Sequence, residues 1–265
     1  MRNYLLLFLS FITYTVFAQY KLSYNYVNHY DSLKPNKAIN EDISIIKTPK
    51  EKYYYSENFL KLIEIENIGN KNNENPQLMW KKLAEVPRSK LFNVVIIKGD
   101  IFEIFNTQIK YKTTLEYLPI NWKIENITSI NNLKKATTTY LGRNWIALYD
   151  ESIPINDGPF LFSGLPGLII ELQDDQGYFK WKLNSYDLDY DDKNFIKELI
   201  EYKYKSIVDL NSIEFKKIIN ESFLNPTISI QTAGIQLDEE RIKRIVENQK
   251  LQKHRFLIPE IWTYL

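Results

Sequence analysis

Polar and apolar positions alternate in short runs from Tyr20 onward. The apolar half of each run is rich in β-branched and aromatic residues, and Gly, Pro, Asn or Asp separates one run from the next. A period of two predicts strands, the clearest at Tyr20–Val27, Ile43–Lys47, Phe59–Glu66, Leu91–Ile97, Ile101–Phe105, Gln108–Lys112, Trp122–Ile127, Lys135–Leu141, Asn144–Tyr149, Leu168–Gln173 and Tyr178–Ser185. The connections Lys98-Gly99-Asp100, Gly142-Arg143 and Asp174-Asp175-Gln176-Gly177 are hairpin-length, so their flanking strands must be antiparallel neighbours. Tyr53-Tyr54-Tyr55 would alternate faces if extended, which predicts at least one ring in water. The Asn-rich run from Asn67 to Asn75, closed by Pro76, has no apolar period and predicts a loop.

Beyond Asp191 the period lengthens. Phe195, Ile196, Leu199 and Ile200 fall at helical spacing, as do Phe215, Ile218, Ile219 and Phe223, and then Ile242, Ile245 and Val246. Asn211 with Glu214 resembles a capping box, Asn225-Pro226 stops that helix, and Asp238 is placed to cap the last one. Helices segregated behind a strand meander give an α+β class: a large curved antiparallel sheet, a meander or partly open barrel, with C-terminal helices.

The first residues follow neither period. Arg2 precedes an apolar run from Tyr4 to Phe17, and Val16 and Ala18 sit three and one positions before Gln19, the spacing of a signal-peptidase site. The run is shorter than the roughly 20 residues that span a bilayer. The expected organisation is a signal peptide at 1–18, an antiparallel β domain at 19–190, and a helical part at 191–265 packed on that same domain. A mature chain starting at Gln19 is expected to carry no transmembrane span and to be exported to the periplasm, the cell envelope or the exterior.

Composition narrows the chemistry. A net charge of +1 over 265 residues excludes the basic excess that a nucleic-acid binder uses to displace counterions. The absence of Cys removes disulfides, thiol nucleophiles, thiolate zinc sites and an acylated lipoprotein Cys. His29 and His254 stand far apart in no metal-ligand spacing, and Ser163 lies between Phe162 and Gly164, outside a G-x-S-x-G elbow. Asp187, Asp189, Asp191 and Glu198 imitate a calcium-loop spacing, but Asp192 fills the turn-Gly position and Asn194 the apolar one. No catalytic residue, metal ligand or cofactor is therefore assigned.

The most informative stretch runs from Lys134 to Leu183. In it, Asp157-Gly158-Pro159 forces one bend, Phe160, Leu161 and Phe162 are too apolar to lie in water, and Gly164-Leu165-Pro166-Gly167-Leu168-Ile169 follows. Pro166 and Gly167 fit the central positions of a type II turn, which predicts φ > 0 at Gly167. The loop reads as a plug that closes the fold or as the rim of a binding site, with Phe160, Phe162, Gly164, Leu165, Pro166 and Gly167 as candidate binding residues.

That hexapeptide resembles the signature of the GLPGLI family, exported proteins found mainly in Bacteroidetes. Lys135-Ala136-Thr137, Gly142-Arg143, Ile153-Pro154 and Gly158-Pro159 stand in the family's order before it, and Ile258-Pro259-Glu260 is a fainter echo of its C-terminal pattern. Where that pattern carries a Cys and a Trp this chain has Leu133 and Leu148, so no role for that thiol or indole carries over. The resemblance implies an envelope or secreted protein and no activity. The sequence thus favours a non-catalytic exported protein that binds an envelope partner or an apolar or polymeric ligand. The alternative is a secreted hydrolase acting on peptide or glycan.

Overall fold

The alternating segments pair into one open sheet. The computed structural model describes residues 19–29, 38–87, 89, 93–106, 110–128, 133–191, 198, 207–224 and 238–252. One antiparallel meander comprises β1 (Tyr20–Asn28), β2 (Ile39–Lys47), β3 (Lys52–Ser56), β4 (Asn93–Lys98), β5 (Ile101–Asn106) and β6 (Tyr111–Glu116). A second comprises β7 (Lys123–Thr128), β8 (Lys134–Tyr140), β9 (Arg143–Asp150), β10 (Leu168–Asp174) and β11 (Phe179–Asp187). They join where β11 runs antiparallel to β1. With the short β12 (Val208–Asp209) parallel to β6, the twelve-stranded order is β12-β6-β5-β4-β3-β2-β1-β11-β10-β9-β8-β7.

The three expected hairpins form. Leu141 and Gly142 between β8 and β9 have φ of +52° and +71°, the paired left-handed geometry that matches strand twist, and Gly99 and Gly177 supply +61° and +73° in the other two. Beside the Gly142 turn, Arg143 donates to Asp174 Oδ2 at 2.9 Å, with its guanidinium 5.0 Å from the Phe179 ring centre. Alternation then sorts side chains between two faces. On the inner face Leu22, Tyr24, Ile43, Ile45, Trp145, Ala147, Leu172 and Trp181 form the main core. Phe215, from α3 (Ser212–Leu224), reaches the same core.

The outer face of β2–β5 carries a second core of Ile46, Tyr53, Tyr55, Val94, Ile96 and Phe105, packed by Phe59 and Leu60. Those last two belong to α1 (Glu57–Lys71), where a strand was expected at Phe59–Glu66. Ser56 accepts the Phe59 N–H as N-cap, and Phe59, Leu60, Ile63 and Asn67 share a helical face whose last two members are buried. With both faces covered, Tyr53, Tyr54 and Tyr55 are all buried, at 2, 6 and 1% exposure, so the expected wet ring is absent.

The expected Asn-rich loop shrinks to a turn. α1 runs through to Lys71, Asn73 takes φ +49°, and α2 (Pro76–Glu85) starts with Pro at its first turn and Asn75 accepting the Gln77 N–H. Gly69 lets the two helices meet, since a Cβ there would lie 2.8 Å from Met79 Sδ. Of the strand expected at Gln108–Lys112, Tyr111 and Lys112 open β6, which runs on to Glu116, and residues 108–109 lie outside the described residues. Asn211 and Asp238 cap as expected: their Oδ1 atoms accept from Glu214 N at the start of α3 and from Arg241 N at the start of α4 (Glu239–Gln252). Residues 1–18, Phe195, Ile196, Leu199, Ile200, Asn225-Pro226, His254 and Ile258-Pro259-Glu260 lie outside the described residues.

Candidate functional site

Residues 151–167 leave the sheet after β9 and return as β10. The loop satisfies much of its own backbone. An antiparallel bridge pairs Asp157 with Ser163, and Phe162 N donates to Pro159 O at 3.0 Å. The small hairpin so formed turns through Phe160 at φ +52° and is followed by Gly164 at +96°. Leu168 N then donates to Ile153 O (3.3 Å) and Ile169 N to Asp157 O (3.0 Å), tying the exit of the loop to its entry. A left-handed φ on an aromatic residue costs on the order of 1 kcal/mol, which the burial of its ring offsets.

This hairpin is driven into the inner face. Phe160, Phe162 and Leu165 are 5, 0 and 0% exposed, and Ile155 and Leu161 are buried with them. The Phe162 ring lies 4.7 Å from that of Trp145, 5.5 Å from Tyr140 and 6.2 Å from Trp122, and Phe160 meets Tyr54 edge-on at 5.3 Å. A register shift between Ile169 and Glu171 accompanies complete burial of both Leu168 and Ile169, consecutive residues that an unbroken pleat would separate.

Gly167 corrects the turn expectation. It is not among the glycines of positive φ, so the segment is not the type II turn expected there. Glycine is required for another reason. A Cβ would lie 2.2 Å from Asp150 O and 2.8 Å from Glu151 Cα, backbone atoms that cannot swing away. Gly158 is similarly pressed, with its would-be Cβ 2.6 Å from Ile169 Cδ1.

Polar contacts fix the plug at two ends. At one, Asp157 is buried: Tyr20 OH donates to Oδ2 at 2.7 Å, Lys52 Nζ is paired with Oδ1, and the Gly158 N–H reaches Oδ1 at 2.7 Å. Lys52 also donates to Gly158 O at 2.9 Å, while Tyr24 OH donates to Ile169 O at 2.6 Å. Burial, and then the nearby Asp157 charge, push the Tyr20 and Tyr24 phenols well above their ordinary range. Burial lowers the Lys52 ammonium, with Asp157 opposing only part of that shift.

At the other end a strap from β6 to β7 crosses the plug. Tyr117 OH lies 2.8 Å from both Leu161 O and Ser163 Oγ, the Trp122 indole N–H donates to Ser163 O at 2.7 Å, and Gly164 N donates to Asn156 Oδ1 at 2.6 Å. Burial raises the Tyr117 phenol, with Ser163 opposing.

Of the candidate binding residues, Phe160, Phe162, Leu165 and Gly167 are therefore interior, and only Gly164 and Pro166 face solvent. Leu118 in the strap and Ile124 on β7, the strand that ends the sheet among the described residues, are exposed apolar side chains. His29 follows β1, its backbone N–H donating to Tyr178 O at 2.8 Å. Asp189 N donates to Asp187 Oδ1, and among the described residues no group of three or more His, Asp or Glu is arranged to hold a metal. Among them no helix is long and apolar enough to cross a membrane. Sequence reading missed the convergence of Tyr20, Lys52 and Asp157, which are separated by up to 137 positions and carry no local signal.

Residues 105–171, which hold the strap and the whole plug, match a family model described as "Protein of unknown function (Porph_ging)". Among curated proteins none matches the chain. Similar solved structures include PNGF-II in two crystal forms. In space group P21 the TM-score is 0.49 at 16% identity, over 77% of this chain and 34% of that one, and in C2 it is 0.47 at 16%, over 77% and 33%. An uncharacterized conserved protein from Thermus thermophilus gives 0.40 at 8%, over 74% and 91%. The chain spans about a third of PNGF-II.

Proposed function

We propose that this is an exported, non-catalytic protein of the GLPGLI type that acts in the periplasm or cell envelope, or outside the cell, by binding a partner or an apolar or polymeric ligand. One observation carries the reading: the apolar residues of the signature loop are buried in the protein's own core, while Gly164 and Pro166 stay exposed, as do the apolar Leu118 of the strap and Ile124 of β7, the strand that ends the sheet among the described residues. An edge strand with apolar side chains suits an added strand or a ligand laid along it. Ser163 is held by Tyr117, so its hydroxyl serves the strap that keeps this rim in place.

Expression with residues 1–18 intact, followed by cell fractionation and mass spectrometry of whatever co-purifies, tests both parts. Export with a new terminus at Gln19 is expected, together with loss of the co-purifying species in Leu118→Glu and Ile124→Glu at unchanged melting temperature. Turnover of peptide or glycan that Ser163→Ala abolishes would favour the hydrolase instead.

A further inference from the structure

The buried group at the base of the plug has the parts needed for a covalent reaction. Lys52 and Asp157 side chains are 6 and 7% exposed, one on β3 and the other 105 residues later in the loop. Lys52 Nζ is aimed by its second hydrogen bond to Gly158 O, against the Asp157 carboxylate. Each carboxylate oxygen has its own donor: Tyr20 OH on Oδ2 and the Gly158 N–H on Oδ1. Burying two opposite charges costs several kcal/mol per ion before their attraction is counted, and an amide in the same place would carry none.

We infer that Lys52 and Asp157 condense in the folded protein to an intramolecular amide linking β3 to the plug. The atoms balance without any co-reactant. One proton passes from the ammonium to the carboxylate, giving amine and acid. Nζ then forms a bond to Asp157 Cγ, and the Cγ–Oδ2 bond breaks. Oδ2 leaves as water with that proton and a second one from nitrogen. Oδ1 stays as the amide oxygen, held by the Gly158 N–H, and Tyr20 stabilises the departing oxygen and relays its proton. Burial, by lowering the Lys52 ammonium, favours the amine form that attacks. Exclusion of bulk water keeps the reverse hydrolysis slow. In a chain without Cys the link would close a loop of 105 positions, the constraint a disulfide supplies elsewhere. This inference stands apart from the proposed binding role.

Intact mass of the purified wild-type protein, measured in denaturant, tests it. The expected mass is one water below that of the unlinked linear chain, and digestion should give a branched peptide joining Lys52 to Asp157. Lys52→Arg keeps the charge but has no primary amine, and should return the full mass. Asp157-Gly158 can also lose water by closing on its own backbone as a cyclic imide. A full-mass wild type overturns the inference, as does a water lost from an unbranched Asp157-Gly158 peptide or a Lys52→Arg protein that still lacks one water.

Discussion

The sheet is left by two long excursions that solve opposite problems. Between β3 and β4 the chain makes α1 and α2, regular helices with their own caps, yet α2 buries no residue and Trp80 on it is 68% exposed. Between β9 and β10 it makes an irregular loop with a left-handed Phe and only a two-residue bridge, yet that loop supplies Phe162, Leu161 and Leu165 to the centre of the core. Regularity and burial are thus uncoupled here. Helical hydrogen bonds each contribute little net stability in water, whereas removal of a large apolar side chain from water contributes about 1.5–3 kcal/mol. The irregular excursion should therefore be the stable one.

The sharpest way to break this contrast is Gly167→Val, whose side chain must displace the backbone at Asp150 and Glu151. Loss of about 4 kcal/mol or more is expected in denaturant titration, and an unchanged midpoint would refute the close-approach account. Phe162→Ala should come next, at about 3–5 kcal/mol, because its ring is enclosed by Trp145, Tyr140 and Trp122. Ser163→Ala should cost about 1 kcal/mol, since Tyr117 keeps its bond to Leu161 O. Trp80→Ala on α2 should stay within about 0.5 kcal/mol despite the larger side chain removed.

The outer face adds a smaller, pH-dependent term. Burial raises the Glu103 carboxyl, but hydrogen bonds and charge from Lys98 (2.6 Å) and Lys112 (3.0 Å) outweigh it and hold the group below its ordinary 4.5. A carboxylate lowered in the folded state adds stability that is complete above 4.5 and lost as pH falls through the folded value. Acid titrations of wild type and Glu103→Gln should therefore keep a constant offset above 4.5 and converge as pH falls through that window, with the variant flatter there.

The hairpins were legible because turn chemistry is local: Gly99, Gly142 and Gly177 announce themselves wherever the chain goes. The signature loop was legible as a plug or a rim, since Phe160 to Phe162 cannot remain in water. Alternation misled at Phe59–Glu66, where Ile63-Glu64-Ile65-Glu66 mimics a strand. The Ser56 cap with Phe59, Leu60 and Ile63 at helical spacing was the competing signal. The expectation for Tyr53-Tyr54-Tyr55 fails for the same reason, because Phe59 and Leu60 of α1 cover the outer face that alternation alone leaves in water. Gly167 was recognised as obligatory for the wrong reason, since a close approach to Asp150 depends on tertiary placement and leaves no mark in the tetrapeptide. Lys52 with Asp157, and Arg143 with Asp174, were invisible for the same reason: charge complementarity across 105 or 31 positions has no periodicity to detect.

Native-state hydrogen exchange reads the contrast directly, residue by residue, in the unmodified protein. The plug amides Phe162 N, Leu168 N and Ile169 N, donating to Pro159, Ile153 and Asp157, should exchange only on global unfolding and share its dependence on denaturant. Met79 N, donating to Asn75 at the start of α2, should exchange orders of magnitude faster through local opening. Plug amides that exchange as fast as those of α2 would contradict the account, leaving the signature as a surface feature with no part in holding the fold.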